Sequence, residues 1–155
     1  MAVRDIVLST DEFIRKKSRK VEHFDESLHE LLDDMRDTLF DQDGAGLAAV
    51  QVGVLKRVFI TYANGALMEF VNPEIVDTKG EQVNKEGCLS VKDRWAYVCR
   101  PKQVTVRAYD RFGSPFTYTT EGFCAQAVCH EYDHLEGILY IDKAIPDNEV
   151  KKKKR

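Results

Sequence analysis

Apolar residues recur at helical spacing in a segment that begins near residue 28. Five of them share one face when the chain is wound at 3.6 residues per turn: Leu28, Leu31, Leu32, Met35 and Leu39. Acidic residues fill the opposite face, at Asp33, Asp34 and Asp37. Gly44 predicts the end of this helix, because glycine commonly follows a helix terminus. The pattern is typical of an amphipathic helix that packs on a core and carries no chemistry.

After Gly53 the helical spacing gives way to short β-rich runs with turn residues between them. Asn64-Gly65 predicts a tight turn between two of these runs, and Asp110–Ser114 predicts a second hairpin. The predicted strands are Arg57–Tyr62, Leu67–Val71, Glu74–Thr78, Trp95–Cys99, Gln103–Tyr109 and Pro115–Thr120.

Helical spacing returns from Gly122 to Gly137, and residues 138–155 are expected to form a short strand and a fraying end. A helix, several antiparallel strands and a second helix predict an α+β fold, with antiparallel sheets packed around the C-terminal helix. A chain of 155 residues without repeats or a Pro/Gly/Ser-rich linker fits one domain. We expect this domain to span residues 1–145, followed by a short basic tail at residues 146–155.

The charge distribution narrows the classes of function. The net charge is −3, but the last five residues, 151–155, are all positive, so residues 1–150 carry −8. An acidic body repels phosphates, which argues against DNA binding. The tail is expected to be a solvated end, with a ribosomal RNA contact as the alternative.

No stretch of the chain is long enough to suggest a membrane span. The longest uncharged stretch, Gly44 to Leu55, has twelve residues, whereas a spanning helix needs about 20. Arg4 and Asp5 precede any apolar run, which argues against a signal peptide. We therefore expect a cytoplasmic protein of bacterial type, with an organelle as the alternative location.

The cysteine spacing does not suggest a disulfide. One glycine pattern fits a nucleotide site in sequence but not in context. The four cysteines contain no C-x-x-C pair, and three of them are expected to be buried small apolar residues: Cys99, Cys124 and Cys129. Residues 44–49 fit the G-x-G-x-x-G/A pattern of dinucleotide sites. They follow a predicted helix and lead towards strands, which is the wrong context for that pattern.

The second predicted helix contains an H-E-x-x-H pattern at His130, Glu131 and His134. Histidines at i and i+4 lie on one helical face, so both can bind a single metal ion. Glu131 is then placed to act as a general base on water at that ion. The alternative is a pair of surface histidines, which is what we expect of His23 and His29.

A catalytic ion needs a third protein ligand as well as a position for water. Cys88 is the best candidate, because it follows a glycine between strand-like runs where the backbone can approach a metal closely. A thiolate, two imidazoles and a water form a sound tetrahedral set, and these ligand types favour zinc. The downstream carboxylates lie in less regular segments, at Glu136, Asp142, Asp147 and Glu149.

Three motifs together resemble those of the peptide deformylases, in the order and with the spacing usual in that family. They are Gly44-Ala45-Gly46-Leu47-Ala48-Ala49-Val50-Gln51, Glu86-Gly87-Cys88-Leu89-Ser90 and His130-Glu131-Tyr132-Asp133-His134-Leu135-Glu136-Gly137. The resemblance implies removal of the formyl group from the N-terminal formylmethionine of newly made polypeptides, with release of formate. It also implies that Cys88, His130 and His134 bind Fe(II), which Zn(II) or Ni(II) can replace in a purified protein.

The resemblance further implies roles for individual residues. Metal-bound water or hydroxide would attack the formyl carbon, with Glu131 as general acid/base. Gln51 and the backbone N–H of Leu89 would donate hydrogen bonds to the developing oxyanion, which a neutral amide can do without competing for the metal. The nascent polypeptide is the implied partner, and the ribosome is a second one through the basic tail. The implied substrate-binding residues are Gly44, Ala45, Gly46, Gly87 and Gln126.

Two of those positions depart from the family pattern, which commonly has larger or apolar residues where Ala45 and Gln126 stand. We expect a methionine pocket of altered shape. Three other interpretations use the same residues: an H-E-x-x-H metallopeptidase, a non-catalytic metal-stabilised module, and a Cys88 nucleophile with a histidine base. A peptidase with a carboxylate ligand would keep its metal in Cys88→Ala. The last two interpretations leave Glu131 without a purpose.

Overall fold

The structure, a computed structural model, describes the backbone of residues 2–153 and the side chains of residues 2–150. Short 3₁₀ turns lie at Glu12–Arg15, Ala49–Val52 and Tyr140–Lys143. Helices pack on antiparallel sheets, which confirms the predicted α+β fold. The helices and strands are α1 (Glu26–Asp41), β1 (Gly46–Ala48), β2 (Val58–Ala63), β3 (Ala66–Lys79), β4 (Gln82–Cys88), β5 (Val91–Arg100), β6 (Gln103–Tyr109), β7 (Pro115–Glu121), α2 (Phe123–Leu135) and α3 (Asp147–Lys153).

The described strands form two antiparallel sheets. The larger has the order β1-β2-β3-β6-β7, which places the short strand β1 at an edge with Gly46 opposite Thr61. The smaller is the β4-β5 hairpin. Its register shifts between Glu86 and Cys88, so the end of β4 leaves the regular ladder. Both the edge strand β1 and the irregular end of β4 border the cavity described below.

Helix α1 begins and ends where the sequence predicts. The carboxylate of Asp25 accepts a hydrogen bond from the backbone N–H of Leu28 (3.1 Å), which caps the first turn. Asp43 and Gly44 follow the last turn, and Asp43 has a left-handed φ of 53°. The apolar face is buried against the larger sheet, as predicted. Asp34 departs from the prediction of a solvated acidic face, because it is buried and binds Arg4.

Helix α2 is enclosed by the rest of the fold. Ten of its 13 residues are buried, including five that are polar or charged: Gln126, His130, Glu131, Asp133 and His134. It lies against β1, β2, β5 and β7, so both sheets contribute to its surroundings. An amphipathic surface helix would expose such side chains. None of the helices in the described part of the chain is long and apolar enough to cross a membrane.

The predicted strands differ from the structure in three respects. The two strands predicted at 67–71 and 74–78 are one bent strand, β3, with irregular register around Pro73. Strand β4 was not predicted, because its sequence is mostly polar. The short strand predicted after Gly137 is wrong, since that segment forms a 3₁₀ turn and α3. Residues 154 and 155 of the predicted tail, and the side chains from 151, lie outside the described structure.

The cysteines and histidines outside the motifs also differ in part from expectation. Cys129 is buried, and burial raises the pKa of its thiol to about 11. Cys99 and Cys124 are only half-buried, so their prediction as core residues is wrong. His23 is exposed, and a ring nitrogen of His29 lies 2.9 Å from the carbonyl oxygen of Arg111. None of the four cysteines, all of which are described, forms a disulfide.

Candidate active site

The end of β4 and the middle of α2 bring three metal-ligand side chains together. The Sγ of Cys88 and ring nitrogens of His130 and His134 all lie within 4.8 Å of one another. The two imidazoles stand one helical turn apart, with ring centroids separated by 5.2 Å. The Sγ of Cys88 is 3.4 Å from Nε2 of His134. The structure therefore assembles the thiolate and the two imidazoles that the sequence predicted, and this group could bind a metal ion.

A buried acid–base network orients His130 within this group. The Nδ1 of His130 lies 2.8 Å from a carboxylate oxygen of Glu86, which leaves Nε2 as the nitrogen for a metal. Arg100 donates to both carboxylate oxygens of Glu86, at 3.0 Å each, and to Asp133 at 2.6 Å. The ring of Tyr140 stacks on the imidazole, with a centroid distance of 5.8 Å and an interplanar angle of 24°. His130 is thus held on two sides.

The network fixes the charge of its members. Burial alone would raise the pKa of Glu86, but hydrogen bonds from His130 and Arg100 lower it to about 2. Burial would lower the pKa of His130, yet the nearby Glu131, Cys88 and Glu86 outweigh it and raise the value to about 10. In the absence of an ion, the cluster therefore favours a positive charge at its centre. A divalent cation would supply that charge and leave both histidines neutral.

Glu131 faces the same cluster from α2. Burial raises the pKa of its carboxyl to about 7, which is suited to taking up and releasing a proton near neutral pH. Its Oε1 atom is buried and has no hydrogen-bond partner among the described residues. Gly46 of β1 lies directly against it: a Cβ atom built on Gly46 would lie 2.5 Å from Oε2 and 2.8 Å from Cγ of Glu131. The glycine therefore allows β1 to approach the carboxylate.

Two orphaned polar atoms fit the presence of water around the metal-ligand group. The Nδ1 of His134 is buried without a partner, as is Oε1 of Glu131. Such groups are rarely left unsatisfied in a folded protein. Sulfur and imidazole nitrogen are ligands of zinc and iron rather than of calcium or magnesium. The residues present thus fit a transition-metal ion with bound water.

Gln51 lies in the wall of the site. It is 1% exposed, which is not the environment of a surface glutamine in a loop. Its Oε1 accepts a hydrogen bond from the backbone N–H of Ala48 (2.9 Å), and its Nε2 donates to Oγ of Ser90 (3.0 Å). The same Nε2 lies 3.5 Å from Sγ of Cys88. These contacts aim one amide hydrogen towards the metal-ligand group.

One cavity of about 550 Å³ connects the three motifs. It is lined by Cys88, His130, Glu131 and Gln51, and by Leu89. All five residues predicted to bind substrate also line it, although their role stays a prediction: Gly44, Ala45, Gly46, Gly87 and Gln126. Gln126 is buried, and its Nε2 makes a long contact of 3.4 Å with the carbonyl oxygen of Lys85.

The downstream carboxylates do not join the metal-ligand group. Asp142 pairs with Arg15, and Glu136 lies 3.4 Å from Arg57. Asp147 and Glu149 lie in α3. Among the described residues, only Cys88 lies with the two histidines in a possible metal group, as the sequence favoured.

Several residues of the site have no local sequence signal. Arg100 is 14 residues from Glu86 and 33 from Asp133, so only the fold shows that they form a network. Ser90, which holds Gln51, is part of a recognised motif but received no role from the sequence. Trp95 also lines the cavity, and it belonged only to a predicted strand. An arginine at a strand end beside a run of apolar residues is the one pattern that could have suggested a buried ion pair.

Comparison with known proteins agrees with this geometry. The model of the polypeptide deformylase family matches residues 3–150. A peptide deformylase of Caldicellulosiruptor bescii is 53% identical over 145 residues, which cover 94% of this chain and 87% of that protein. The crystal structure of a peptide deformylase from Legionella pneumophila superimposes with a TM-score of 0.90 at 44% identity, covering 98% of this chain and 93% of that one.

A second crystal structure, of the peptide deformylase from Thermotoga maritima, gives a TM-score of 0.92 at 33% identity and covers 94% of this chain and all of that one. Both structures match the whole arrangement of sheets and helices rather than the site alone. Sequence, fold and the Cys88–His130–His134 group therefore lead to the same result. The chain belongs to the polypeptide deformylase family of enzymes.

Proposed function

We propose that this enzyme removes the formyl group from the N-terminal formylmethionine of newly made polypeptides and releases formate. The observation that carries the proposal is the meeting of three elements at one cavity. Helix α2 supplies a buried carboxyl, Glu131, beside two imidazoles; β4 supplies the Cys88 thiol; and the turn after β1 supplies the Gln51 amide. Membership of the polypeptide deformylase family supports assigning this reaction to the cavity.

We propose Cys88, His130 and His134 as the ligands of one divalent ion, with Fe(II) as the ion in the cell. A bound cation of this kind polarises an amide carbonyl and lowers the pKa of a water molecule. The sulfur and nitrogen donors suit both iron and zinc, and the choice of iron rests on the family resemblance. Parallel preparations loaded with Fe(II) and Zn(II) without oxygen should show faster formate release with iron.

Glu131 is proposed to carry the proton of the reaction. With a pKa of about 7, its carboxylate can accept a proton from the attacking water and then donate it to the amine of methionine as the bond to the formyl carbon breaks. Its contact with Gly46 keeps the carboxylate from turning away into β1. The carboxyl therefore needs no large movement between the two proton transfers.

Gln51 and the backbone N–H of Leu89 are proposed to stabilise the oxygen of the formyl group as it becomes negative. The amide of Gln51 is fixed by Ala48 and Ser90, so it can donate without reorganising. Replacing Gln51 with Leu removes this donor, and we expect kcat to fall by roughly 10²–10³-fold. Metal content should stay near that of the wild type, because Gln51 is not among the ligands.

The substrate is proposed to bind along the edge strand β1. The free edge of β1 lies at the cavity, where an extended peptide can form backbone hydrogen bonds beside Gly44, Ala45 and Gly46. Gly87 lines the same cavity. The first side chain would enter the part of the cavity formed by Ala45 and Gln126. A small residue and a buried amide there support our prediction of a methionine pocket with altered preference among methionine analogues.

We also propose that residues 1–145 act as one catalytic domain in the bacterial-type cytoplasm and that the basic tail contacts the ribosome. Support for the tail's role is its charge alone, since five consecutive residues from 151 are positive. Residues 146–149 are exposed and Val150 is buried. Co-sedimentation with ribosomes that is unchanged by deleting residues 151–155 would remove this part of the proposal.

The test of the reaction separates a deformylase from a peptidase. A formyl-Met-Ala-Ser peptide is incubated with the metal-loaded protein, and the products are identified by mass. We expect formate and the intact tripeptide. Cleavage of an internal peptide bond, or the same rate with an acetylated peptide, would favour a metallopeptidase instead. No product at all, with metal bound in stoichiometric amount, would favour a metal-stabilised module.

A further inference from the structure

An exposed tryptophan stands at the mouth of the cavity. Trp95 of β5 is 65% exposed, yet it lines the same cavity as Cys88 and His130. An indole gains more than most side chains from being covered, because it carries a large apolar surface. A ring that is left in water at the entrance to a catalytic cavity is therefore a contact surface for whatever passes through that entrance.

The ring of Trp95 lies close to the metal-ligand group through one contact of its own, and the backbone beside it makes a second contact. It lies against Gly87, the residue before Cys88: a Cβ atom built on Gly87 would lie 2.6 Å from Cε3 of the indole. Next to it in β5, the carbonyl oxygen of Arg94 accepts a hydrogen bond of 2.6 Å from the hydroxyl of Tyr140. The same Tyr140 stacks on His130. The position of the indole is thus tied to the position of a metal ligand.

The location of Trp95 indicates which part of a substrate it meets. In the substrate placement proposed above, the reacting group lies between Cys88 and Glu131, and the first side chain enters the cavity beside Ala45 and Gln126. The remaining peptide has to leave through the open side of the cavity. Since Trp95 forms part of the exposed rim, the residue after the formylated one is the first that can reach it.

The other rim residues show no single charge. Lys92 and Arg94 are exposed next to Trp95, but so is Asp93, and Asp43 lies on the rim as well. A strong preference for an acidic or a basic peptide is therefore not expected there. The apolar surface of the rim comes from two exposed rings, Trp95 at 65% and Phe123 at 58%, and of the two only Trp95 lies against Gly87 beside Cys88.

We propose that Trp95 is a specificity residue whose indole packs on the second residue of the substrate and favours a large apolar or aromatic side chain there. The proposal rests on the deformylase function above and adds a preference beyond the first residue. The Gly87 contact is essential to it, because any side chain at residue 87 would displace the ring from the rim.

The first test compares formate release from formyl-Met-Phe-amide and formyl-Met-Gly-amide by the metal-loaded enzyme. We expect kcat/KM to be roughly five- to tenfold higher for the phenylalanine substrate, the size typical of an aromatic contact. Trp95→Ala should bring the ratio to within about twofold of one, and Trp95→Phe should keep most of it. The control is Phe112→Ala, an exposed ring in the β6–β7 turn that should leave the ratio at its wild-type value. A ratio that Trp95→Ala does not change would overturn the proposal.

The second test does not depend on turnover. Trp95 is the one tryptophan among the 155 residues, so intrinsic fluorescence reports on this indole alone. Adding formyl-Met-Phe-amide to Glu131→Gln should shift the emission to shorter wavelength and reduce acrylamide quenching, and formyl-Met-Gly-amide should do so much less. Equal quenching with saturating peptide and without it would contradict the proposal. If the wild type releases no formate but the shift occurs, the proposed reaction fails while the contact with Trp95 stands.

Discussion

Helices α1 and α2 are similar in length but differ in what they do with polar residues. Helix α1 buries one apolar face against the larger sheet and turns most of its charged residues to the surface. Helix α2 buries ten of its 13 residues, and half of those ten are polar or charged. A buried charge is costly unless it is paired or binds a metal. The polar residues of α2 therefore require a function or a partner, whereas the charged residues of α1 other than Asp34 require neither.

The partners of the two helices show the difference directly. On α2, Asp133 contacts Arg100 at 2.6 Å and Lys143 at 2.9 Å, and the first of these pairs is shielded from water. On α1, Arg36 lies 3.3 Å from Asp37, and both side chains are about one-third exposed. Pairs of the first kind hold the buried polar side chains of α2 in place, and pairs of the second kind add little to stability.

The largest effect is expected from breaking the buried network. Arg100→Met leaves Glu86 and Asp133 without their shared partner, which should lower the free energy of unfolding by about 3–5 kcal/mol. The matched change on α1, Arg36→Met, should cost less than about 0.5 kcal/mol. Urea unfolding in the presence of a chelator measures both without a contribution from metal. Similar values for the two variants would remove the distinction between the helices.

Two glycines of the first motif allow a second comparison, because one lies against α2 and the other against α1. A Cβ atom on Gly46 would meet Glu131 of α2 at 2.5 Å, whereas one on Gly44 would meet the flexible end of Leu39 of α1 at 2.9 Å. Gly46→Ala should displace the carboxylate and lower kcat by about 10²-fold, since small misplacements of a catalytic group are that costly.

Gly44→Ala should lower kcat by much less, because the Leu39 side chain can move aside. Metal content should be the same in both glycine variants, as neither contacts the ligand atoms. Equal losses of kcat would show that the contact between β1 and Glu131 has no special role.

The N-termini of α1 and α2 also differ, and changes there should have smaller effects on stability than breaking the buried network. Asp25 caps α1 through its contact with the backbone N–H of Leu28, so Asp25→Ala should lower the free energy of unfolding by about 1 kcal/mol and leave kcat unchanged. Helix α2 has no side-chain cap and begins after Gly122, whose φ is 65°. Gly122→Ala should lower the free energy of unfolding by about 1–2 kcal/mol, because alanine is strained at this positive φ. Thermal or urea unfolding of both variants checks these values, and no loss in Asp25→Ala would contradict the role of the cap.

The smallest effect concerns the one charged residue that α1 buries. Burial would raise the pKa of Asp34, but hydrogen bonds from Arg4 and from the backbone N–H of Ala2 lower it below 3.8. Because the pKa of Asp34 is lower in the folded state than in the unfolded state, its ionised carboxylate stabilises the folded protein fully at pH values above the unfolded-state pKa. This stabilisation is lost as the pH falls through the folded-state pKa. Asp34→Asn should cost a few tenths to about 1 kcal/mol at pH 7. The difference from wild type should shrink below about pH 4; a difference that grows instead would contradict the assignment.

The elements that the sequence predicted best are those whose pattern is local. Helix α1 follows from its apolar spacing and from Gly44 after its end, and strand β6 was predicted with its observed bounds. Strand β4 was missed because its partner β5 and the edge of the cavity, rather than its own mostly polar sequence, make it a strand. Strand β3 was divided in two because Pro73 normally interrupts a ladder, and here a change of register accommodates it.

The residues of the candidate site also divide into those with a local sequence pattern and those that only the fold brings together. The H-E-x-x-H register and the glycine beside Cys88 are local patterns, and the structure brings these residues together. The roles of Glu86 and Arg100 could not be predicted, because their contacts join residues far apart in the sequence. The importance of Gly46 was predicted only as part of a motif, and its physical cause, the carboxylate of Glu131, required the fold.

The most direct test of the account is formate release by Glu131→Gln, with metal content measured on the same sample. The substitution keeps the size of the side chain and removes its ability to carry a proton. We expect one equivalent of metal, as in the wild type, and a kcat for a formyl-Met-Ala-Ser peptide that is lower by at least about 10²-fold. A variant that binds metal and releases formate within about threefold of the wild-type rate would show that the buried carboxyl of α2 does not carry the proton.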